Sequence, residues 1–177
     1  MIRFALAVAL TFTLATTAHA AGAKPAPELQ RALDAFVGSW TIEEEYPEPS
    51  GPTAKGHGTE TWTAGPGSMS LLYDYASDTP RGHVTAHAVL WWDARAKTFR
   101  ELWCASSAPA CTISPAIIRW DGNDLVFTES FERNGKRVAS RETWSDITKD
   151  THTMTISEGA TASTLKPWLI SHATRQK

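Results

Sequence analysis

Hydrophobic and polar residues alternate with a period of two along most of this chain, which is the pattern of strands that bury one face. Short runs rich in Thr, Val, Ile and Trp are separated by turn signals such as Asp121-Gly122-Asn123 and Asn134-Gly135. We therefore predict about ten strands, at residues 39–46, 57–64, 68–76, 84–92, 98–105, 111–120, 124–132, 137–145, 151–157 and 165–174.

One segment before these strands has a helical period instead. Leu29, Leu33 and Phe36 recur at helical spacing in residues 28–37, after a proline suited to a first turn, and Gly38 ends the segment. We predict one short helix here. Because strands joined by tight turns form an antiparallel meander, and closure removes its unpaired edges, we predict an all-β, up-and-down antiparallel barrel. A β-sandwich is the alternative.

The start of the chain has the composition of a secretory signal peptide. A single cation, Arg3, precedes a long uncharged stretch, and Ala18-His19-Ala20 is a small-x-small cleavage motif. A membrane anchor is the alternative, but the apolar run is shorter than the roughly 20 residues that a spanning helix needs. We expect export to the periplasm or the medium, with residues 1–20 as the signal peptide, 21–27 as a flexible lead and 28–177 as one domain.

The net charge limits the classes of partner that we expect for this protein. A formal net charge of −2 over 177 residues does not favour nucleic acid or an anionic membrane surface, so we expect a small-molecule ligand and no membrane insertion after signal cleavage.

Cys104 and Cys111 are the two cysteines, and an oxidising compartment favours a disulfide between them. A redox-active pair is the alternative, although such pairs are typically Cys-x-x-Cys.

A glutamate stands two residues before a tryptophan three times, at intervals of 41 residues: Glu60 and Trp62, Glu101 and Trp103, Glu142 and Trp144. Residues two apart on a strand share a face, and burying an indole is strongly favourable, so we expect both members to point inwards. A buried carboxylate is costly unless it is paired or hydrated. Because a barrel of about ten strands keeps room inside, we interpret these pairs as the lining of a hydrated pocket. The alternative is a packed tryptophan core with the glutamates turned to solvent.

We add two residues of the predicted strand 84–92 to this pocket. His87 is in phase with Trp91 on that strand, and histidine would bring a second titrating group. The candidates for ligand binding are therefore Trp62, His87, Trp91, Glu101, Trp103, Glu142 and Trp144. In this interpretation the ligand is small and partly apolar, and Glu101 and Glu142 orient its polar group.

The segment Phe36-Val37-Gly38-Ser39-Trp40-Thr41, with its Gly-x-Trp opening the first strand after a short helix, resembles the start of calycin barrels, the lipocalins and fatty-acid-binding proteins. The whole mature chain is similar to an exported bacterial family of unknown function with a lipocalin-like barrel, including the strand after Gly56-His57-Gly58 and the turn into Leu71-Leu72-Tyr73. The resemblance implies a cup closed near Trp40, whose indole packs against an arginine from a late strand. Arg175 is the candidate for that arginine.

The histidines offer a metal or haem site as an alternative function. His83 and His87 are four residues apart, which on a strand is about 13 Å, so they do not share an ion. If the last two strands form a hairpin that turns near residue 162, His152 and His172 fall almost opposite each other. Related haem-binding barrels open with Gly-x-Trp-x-Gly-x-Gly, whereas this chain continues differently after Trp40. We predict no metal and no cofactor.

A cofactor-free isomerase, cyclase or hydrolase is the other alternative, because a carboxyl in an aromatic pocket, at Glu101 or Glu142, would act as a general acid or base. The sequence has no Gly-x-Ser-x-Gly elbow, no phosphate-binding glycine loop and no His-Glu-x-x-His motif. We therefore expect a binding protein rather than an enzyme. Glu43-Glu44-Glu45 is interpreted as a solvated strand edge and not as a calcium site.

Overall fold

The computed structural model describes residues 24–177; the predicted signal peptide and the first residues of the predicted lead lie outside the described residues. One α-helix and eleven strands form in this part of the chain. The helix α1 is Pro27–Phe36, and the strands are β1 Gly38–Tyr46, β2 Ala54–Ala64, β3 Leu71–Thr79, β4 Gly82–Asp93, β5 Thr98–Ala105, β6 Thr112–Ile113, β7 Ile117–Asp121, β8 Asp124–Arg133, β9 Lys136–Ser145, β10 Thr151–Gly159 and β11 Lys166–Arg175.

Ten of these strands close into an antiparallel barrel. Each pairs with its neighbour in the order β1, β2, β3, β4, β5, β7, β8, β9, β10, β11, and β11 pairs back with β1. The predicted barrel is confirmed, and the sandwich alternative is wrong. The predicted strand at 111–120 is divided into β6 and β7, because Pro115 between them has no N–H to donate to a sheet ladder.

Helix α1 covers one end of the barrel, which we call the closed end. It buries Leu29, Leu33 and Phe36 against the barrel core, as the helical period predicts. None of the helices formed by residues 24–177 has the length and hydrophobicity to cross a membrane. No α-helix of the described residues covers the opposite end, where β1 ends at Tyr46 and β8 ends at Arg133, and we call it the open end.

The packing of Trp40 against Arg175 at the closed end is confirmed. The two residues face each other in the β1–β11 ladder, and the guanidinium lies 3.9 Å from the centre of the Trp40 ring. Arg175 Nη1 also donates to the carbonyl of Val37 at 2.7 Å. Gly38 has φ +145°, and a Cβ there would overlap Nη1 of Arg175. This position therefore needs glycine both for its backbone conformation and for the space it leaves to the arginine.

The predicted disulfide is also confirmed. Cys104 at the end of β5 is bonded to Cys111, which closes the loop before β6. Within residues 24–177 no cysteine is free. Closing a loop of this length stabilises the fold by roughly 2 to 3 kcal/mol in the chain-entropy model. The bond fits a protein that folds outside a reducing cytosol.

Candidate functional site

Aromatic side chains and one histidine fill the lower half of the barrel interior, next to α1. We call this cluster the aromatic floor, and all of its members are less than 9% exposed. Trp62 lies at its centre, with ring centroids 4.2 Å from Tyr73, 5.1 Å from Phe36 and 5.3 Å from Trp144. The aromatic floor consists of Phe36, Trp40, Trp62, Tyr73, Trp144 and His152. Two predicted cavity residues, Trp62 and Trp144, are thus part of a packed layer that closes the bottom of the interior.

The upper half of the interior is different, because its inward-facing side chains are only half-buried. In the β4–β5 ladder, Glu101 and Trp103 lie opposite the buried Leu90 and Ala88, so they point inwards, yet solvent reaches them. We call this region the upper cavity; its larger side chains are Tyr46, Tyr75, Glu101, Trp103, Glu129 and Glu142.

Small residues share the inner face with these six side chains. They are Gly56, Gly58, Ala86, Ala88, Ser140 and Ser171. Residues this small leave room beside the larger side chains in a closed sheet of ten strands, and the partial exposure of Glu101 and Trp103 agrees with this.

Three carboxyl groups of the upper cavity have raised pKa values. Burial, followed by the nearby charges of Glu142 and Glu129, raises the pKa of Glu101 from 4.5 to about 8. Burial likewise raises the pKa of Glu142 to about 7, although Trp144 Nε1 donates to Glu142 Oε1 at 2.5 Å and opposes the shift. The pKa of Glu129 is raised by burial and by Glu158. Glu101 and Glu142 therefore carry protons near neutral pH, and the three groups lie close enough together to repel one another when ionised.

The raised pKa of Glu101 predicts a stability that falls with pH. The folded protein retains a proton on this carboxyl that the unfolded chain has lost, so the free energy of unfolding decreases as pH rises from about 5 to about 8. Glu101→Gln removes this loss, since the amide does not ionise. We expect the variant to match the wild type at pH 4.5 and to exceed it increasingly towards pH 8, by up to about 1.4 kcal/mol per pH unit for one proton.

Urea unfolding at a series of pH values measures this effect. The exposed Glu132, on the outer face of β8, supplies the matched variant Glu132→Gln, which should follow the wild type at every pH. A stability difference between Glu101→Gln and the wild type that stays constant from pH 4.5 to pH 8 would contradict the predicted titration.

Glu44 is a buried residue of the interior that the sequence analysis missed. Its side chain is fully buried and accepts three hydroxyl hydrogen bonds, from Tyr75 at 2.8 Å, Tyr46 at 2.8 Å and Ser77 at 2.7 Å. The interpretation of Glu43-Glu44-Glu45 as a solvated edge is therefore wrong for Glu44. The available signal was the phase of β1, which places Glu44 on the same face as Trp40. Glu44 holds the two tyrosines of the upper cavity in place.

A second buried carboxylate, Glu60, lies at the boundary between the aromatic floor and the upper cavity. Tyr73 donates to Glu60 Oε2 at 3.2 Å, and His152 Nε2 approaches Oε1 to 2.5 Å without the alignment of a hydrogen bond. Glu60 is near enough to Glu142 to contribute to its raised pKa. The first Glu-x-Trp pair is thus inside the barrel, but in its packed part.

The structure does not bring His152 and His172 together. His152 faces Ala173 across the β10–β11 ladder, while His172 faces Thr153, so the two imidazoles point to opposite sides of the sheet. His152 is buried in the aromatic floor and His172 is exposed. The metal or haem alternative, which required these two rings on one face, is wrong because the true register differs from the assumed one by a single residue.

His87 and Trp91 lie outside the barrel, so their assignment to the pocket is wrong. The inner face of β4 carries Ala86, Ala88 and Leu90, and His87 Nδ1 lies 2.8 Å from Asp74 Oδ1 on the outer surface. Trp91 and Trp92 are adjacent in β4, so one tryptophan lies on each face of the strand. The expectation that tryptophan points inwards therefore does not show which face of β4 is the inner one.

Two recesses also lie on the outer surface. One, of about 510 Å³, is bounded by His87, Asp74 and the disulfide loop. The other, of about 610 Å³, lies near Trp92 and Trp120. Both are open surface depressions, and neither is lined by Glu101 or Glu142.

Comparison with known proteins identifies the family and supports the fold. A family model described as "Protein of unknown function (DUF1579)" matches residues 25–175, and the chain belongs to this family. The expected resemblance is thereby confirmed. A comparison with curated proteins found no match.

Solved structures show the same barrel at low sequence identity. Rv2717c from M. tuberculosis is 16% identical, with a TM-score of 0.58, and the match covers 87% of this chain and 100% of that one. The S-type phycobiliprotein lyase CPES from Guillardia theta is 12% identical, with a TM-score of 0.56, over 85% of this chain and 93% of that one. At these identities the likeness extends to the fold alone.

Proposed function

We propose that this protein is exported and binds a small, partly apolar molecule in the upper cavity. The observation that carries the proposal is the half-buried state of inward-facing Tyr75, Trp103 and Glu101. Aromatic side chains that point into a barrel and still meet water offer apolar surface to a ligand. The phycobiliprotein lyase among the similar structures has a comparable barrel, and its name describes its own activity and not that of this chain.

The arrangement of the upper cavity supports a ligand with an apolar body and a polar group. Trp103 and Tyr75 form apolar walls, with Trp103 stacked 6.2 Å from Tyr73 of the aromatic floor. Glu101 and Glu142 reach the same space from β5 and β9. A ligand that enters from the open end would place its rings against the tryptophan and its polar group at the carboxyls.

Replacing Trp103 tests where binding occurs, with the neutral fluorescent probe N-phenyl-1-naphthylamine as ligand. We expect Trp103→Ala to weaken probe binding at least tenfold, because the substitution removes the largest apolar wall of the upper cavity. Trp91→Ala is the matched control, since Trp91 is a partly exposed tryptophan on the outer face of β4. A fluorescence titration gives both dissociation constants.

Equal binding of the probe by the wild type and by Trp103→Ala would place the apolar site elsewhere. A native mass spectrum of the protein purified from the periplasm, without refolding, adds two checks. We expect a chain that starts at Ala21, contains the Cys104–Cys111 bond and carries a small molecule that leaves on denaturation. A chain that retains Met1 with two free thiols would overturn the proposed export.

A further inference from the structure

We propose that the ligand of the upper cavity is an organic cation, an amine or ammonium group attached to an apolar ring or chain. This inference rests on the proposed function, since it names the chemical class that the same cavity would select. It follows from the charge of the cavity wall, the spacing of its carboxyls and a buried polar atom left without a partner beneath them.

Arg133 stands at the rim, where it is paired with Glu158. Below the rim, the ionisable side chains on the wall of the upper cavity are acids and tyrosines. Among residues 24–177 every Lys and Arg is exposed except Arg31, Arg100 and Arg175, and these three lie near Trp120, Asp93 and Trp40, away from the upper cavity. His152 is the one histidine of the described residues that is buried. The acids come from five strands: Glu44 of β1, Glu60 of β2, Glu101 of β5, Glu129 of β8 and Glu142 of β9.

Two of these five acids have several partners each, and the other three have one hydrogen-bond donor or none. Glu44 accepts three hydroxyl hydrogen bonds, and Glu60 meets Tyr73 and His152. Glu101 receives no hydrogen bond from any described residue, and its environment is set by burial and by Glu142 and Glu129. Glu158, at the rim, is satisfied by Arg133 through two hydrogen bonds. Trp144 Nε1 donates to one oxygen of Glu142. A cation that enters would therefore find Glu101, Glu129 and the second oxygen of Glu142 available.

The spacing of the carboxyls favours an organic cation over a metal ion. In the described part of the chain no three His, Cys, Asp or Glu side chains are close enough to hold one metal. An ammonium group on an apolar body is larger and makes longer contacts, so acids spread around a wall suit it better. Tyr75 and Trp103 face the same space, and aromatic faces attract organic cations.

An unpaired polar atom beneath the cavity is an independent sign of a missing partner. Trp62 is 5% exposed and lies on the inner face of β2. Its Nε1 donor has no hydrogen-bond partner. Buried polar atoms in native proteins are almost always satisfied. An ammonium group cannot accept this hydrogen bond, but a water held between the ligand and Trp62 would.

A matched set of three ligands tests the charge preference: 1-naphthylmethylammonium, neutral 1-naphthylmethanol and anionic 1-naphthoate. They share one ring system and differ in charge. We expect the ammonium ligand to bind the wild-type protein at least tenfold more tightly than the other two at pH 7.5, measured by displacement of N-phenyl-1-naphthylamine. The double variant Glu101→Gln/Glu142→Gln should lose this preference, so that its affinity for the ammonium ligand falls to its affinity for the alcohol. Glu132→Gln, on the outer face, should retain the preference.

The outcomes separate this inference from the proposed function. If the alcohol or the carboxylate binds as tightly as the ammonium ligand, or if the neutral probe binds and none of the three displaces it, the cation inference is overturned and the cavity remains a binding site. If the preference for the ammonium ligand survives in the double variant, the carboxyls do not confer it and the inference fails. If neither the probe nor any of the three ligands binds, the proposed function itself is wrong.

Discussion

Gly58→Ala is expected to destabilise the barrel by about 3 kcal/mol or more. A methyl group at this position would overlap the carbonyl oxygen of Ala76 and lie 2.7 Å from Ser77 Cα. Both are backbone atoms of β3, the hydrogen-bonded neighbour of β2, so no side-chain rotation relieves the contact. The two strands would have to separate, and forced overpacking of this kind costs about 1–3 kcal/mol and more where the backbone must move.

Urea unfolding followed by tryptophan fluorescence measures the loss, and Gly51→Ala is the matched control. Gly51 lies in the loop before β2, where a Cβ would come no closer than 3.9 Å to another atom. It should therefore unfold within about 0.5 kcal/mol of the wild type. If Gly58→Ala is as stable as Gly51→Ala, the close approach of β2 and β3 at this point is not a constraint on the fold.

The architecture was predictable because it depends on patterns that are local in sequence. The period of two, the turn residues and the helical spacing of Leu29, Leu33 and Phe36 each act within a few residues. Closure of the sheet into a barrel is then expected, because a meander of about ten strands would otherwise leave two unpaired edges. The break at Pro115 was missed, because the predicted strand 111–120 includes a residue that cannot donate to a ladder. Some strand bounds also differ by up to three residues, as at β3, which is Leu71–Thr79 and was predicted at 68–76.

The interior was less predictable, because it depends on register and phase. A shift of one residue sends a side chain to the other face, which is why His152 and His172 were paired wrongly and why His87 was placed inside. The Glu-x-Trp pairs at Glu101 and Glu142 were interpreted with the correct phase, since each strand there has one tryptophan. The strand tilt and the position of α1 determine which half of the barrel interior is packed and which is open. Neither can be predicted from a local sequence pattern.

Glu44→Ala is expected to destabilise the protein by about 3 kcal/mol and to loosen the upper cavity. The substitution leaves the hydroxyls of Tyr46, Tyr75 and Ser77 without their acceptor. Ser77 is 1% exposed and has only the carbonyl of His57 as a further partner, while the tyrosines are partly hydrated. A buried donor that loses its acceptor costs about 1–3 kcal/mol, so the serine and the two tyrosines together give the expected loss.

Two further variants separate the hydrogen bonds from the charge. Glu44→Gln retains the shape and one carbonyl acceptor, and the hydroxyls can rotate to accept from the amide, so it should lose only about 1 kcal/mol. Glu43→Ala, on the exposed face of the same strand, should stay within about 0.5 kcal/mol of the wild type. Urea unfolding of the three variants measures these differences. If Glu44→Ala is as stable as Glu43→Ala, the cost of burying the carboxylate offsets its three hydrogen bonds. Glu44 would then contribute to the orientation of Tyr46 and Tyr75, and a fall in N-phenyl-1-naphthylamine affinity without a fall in stability would show it.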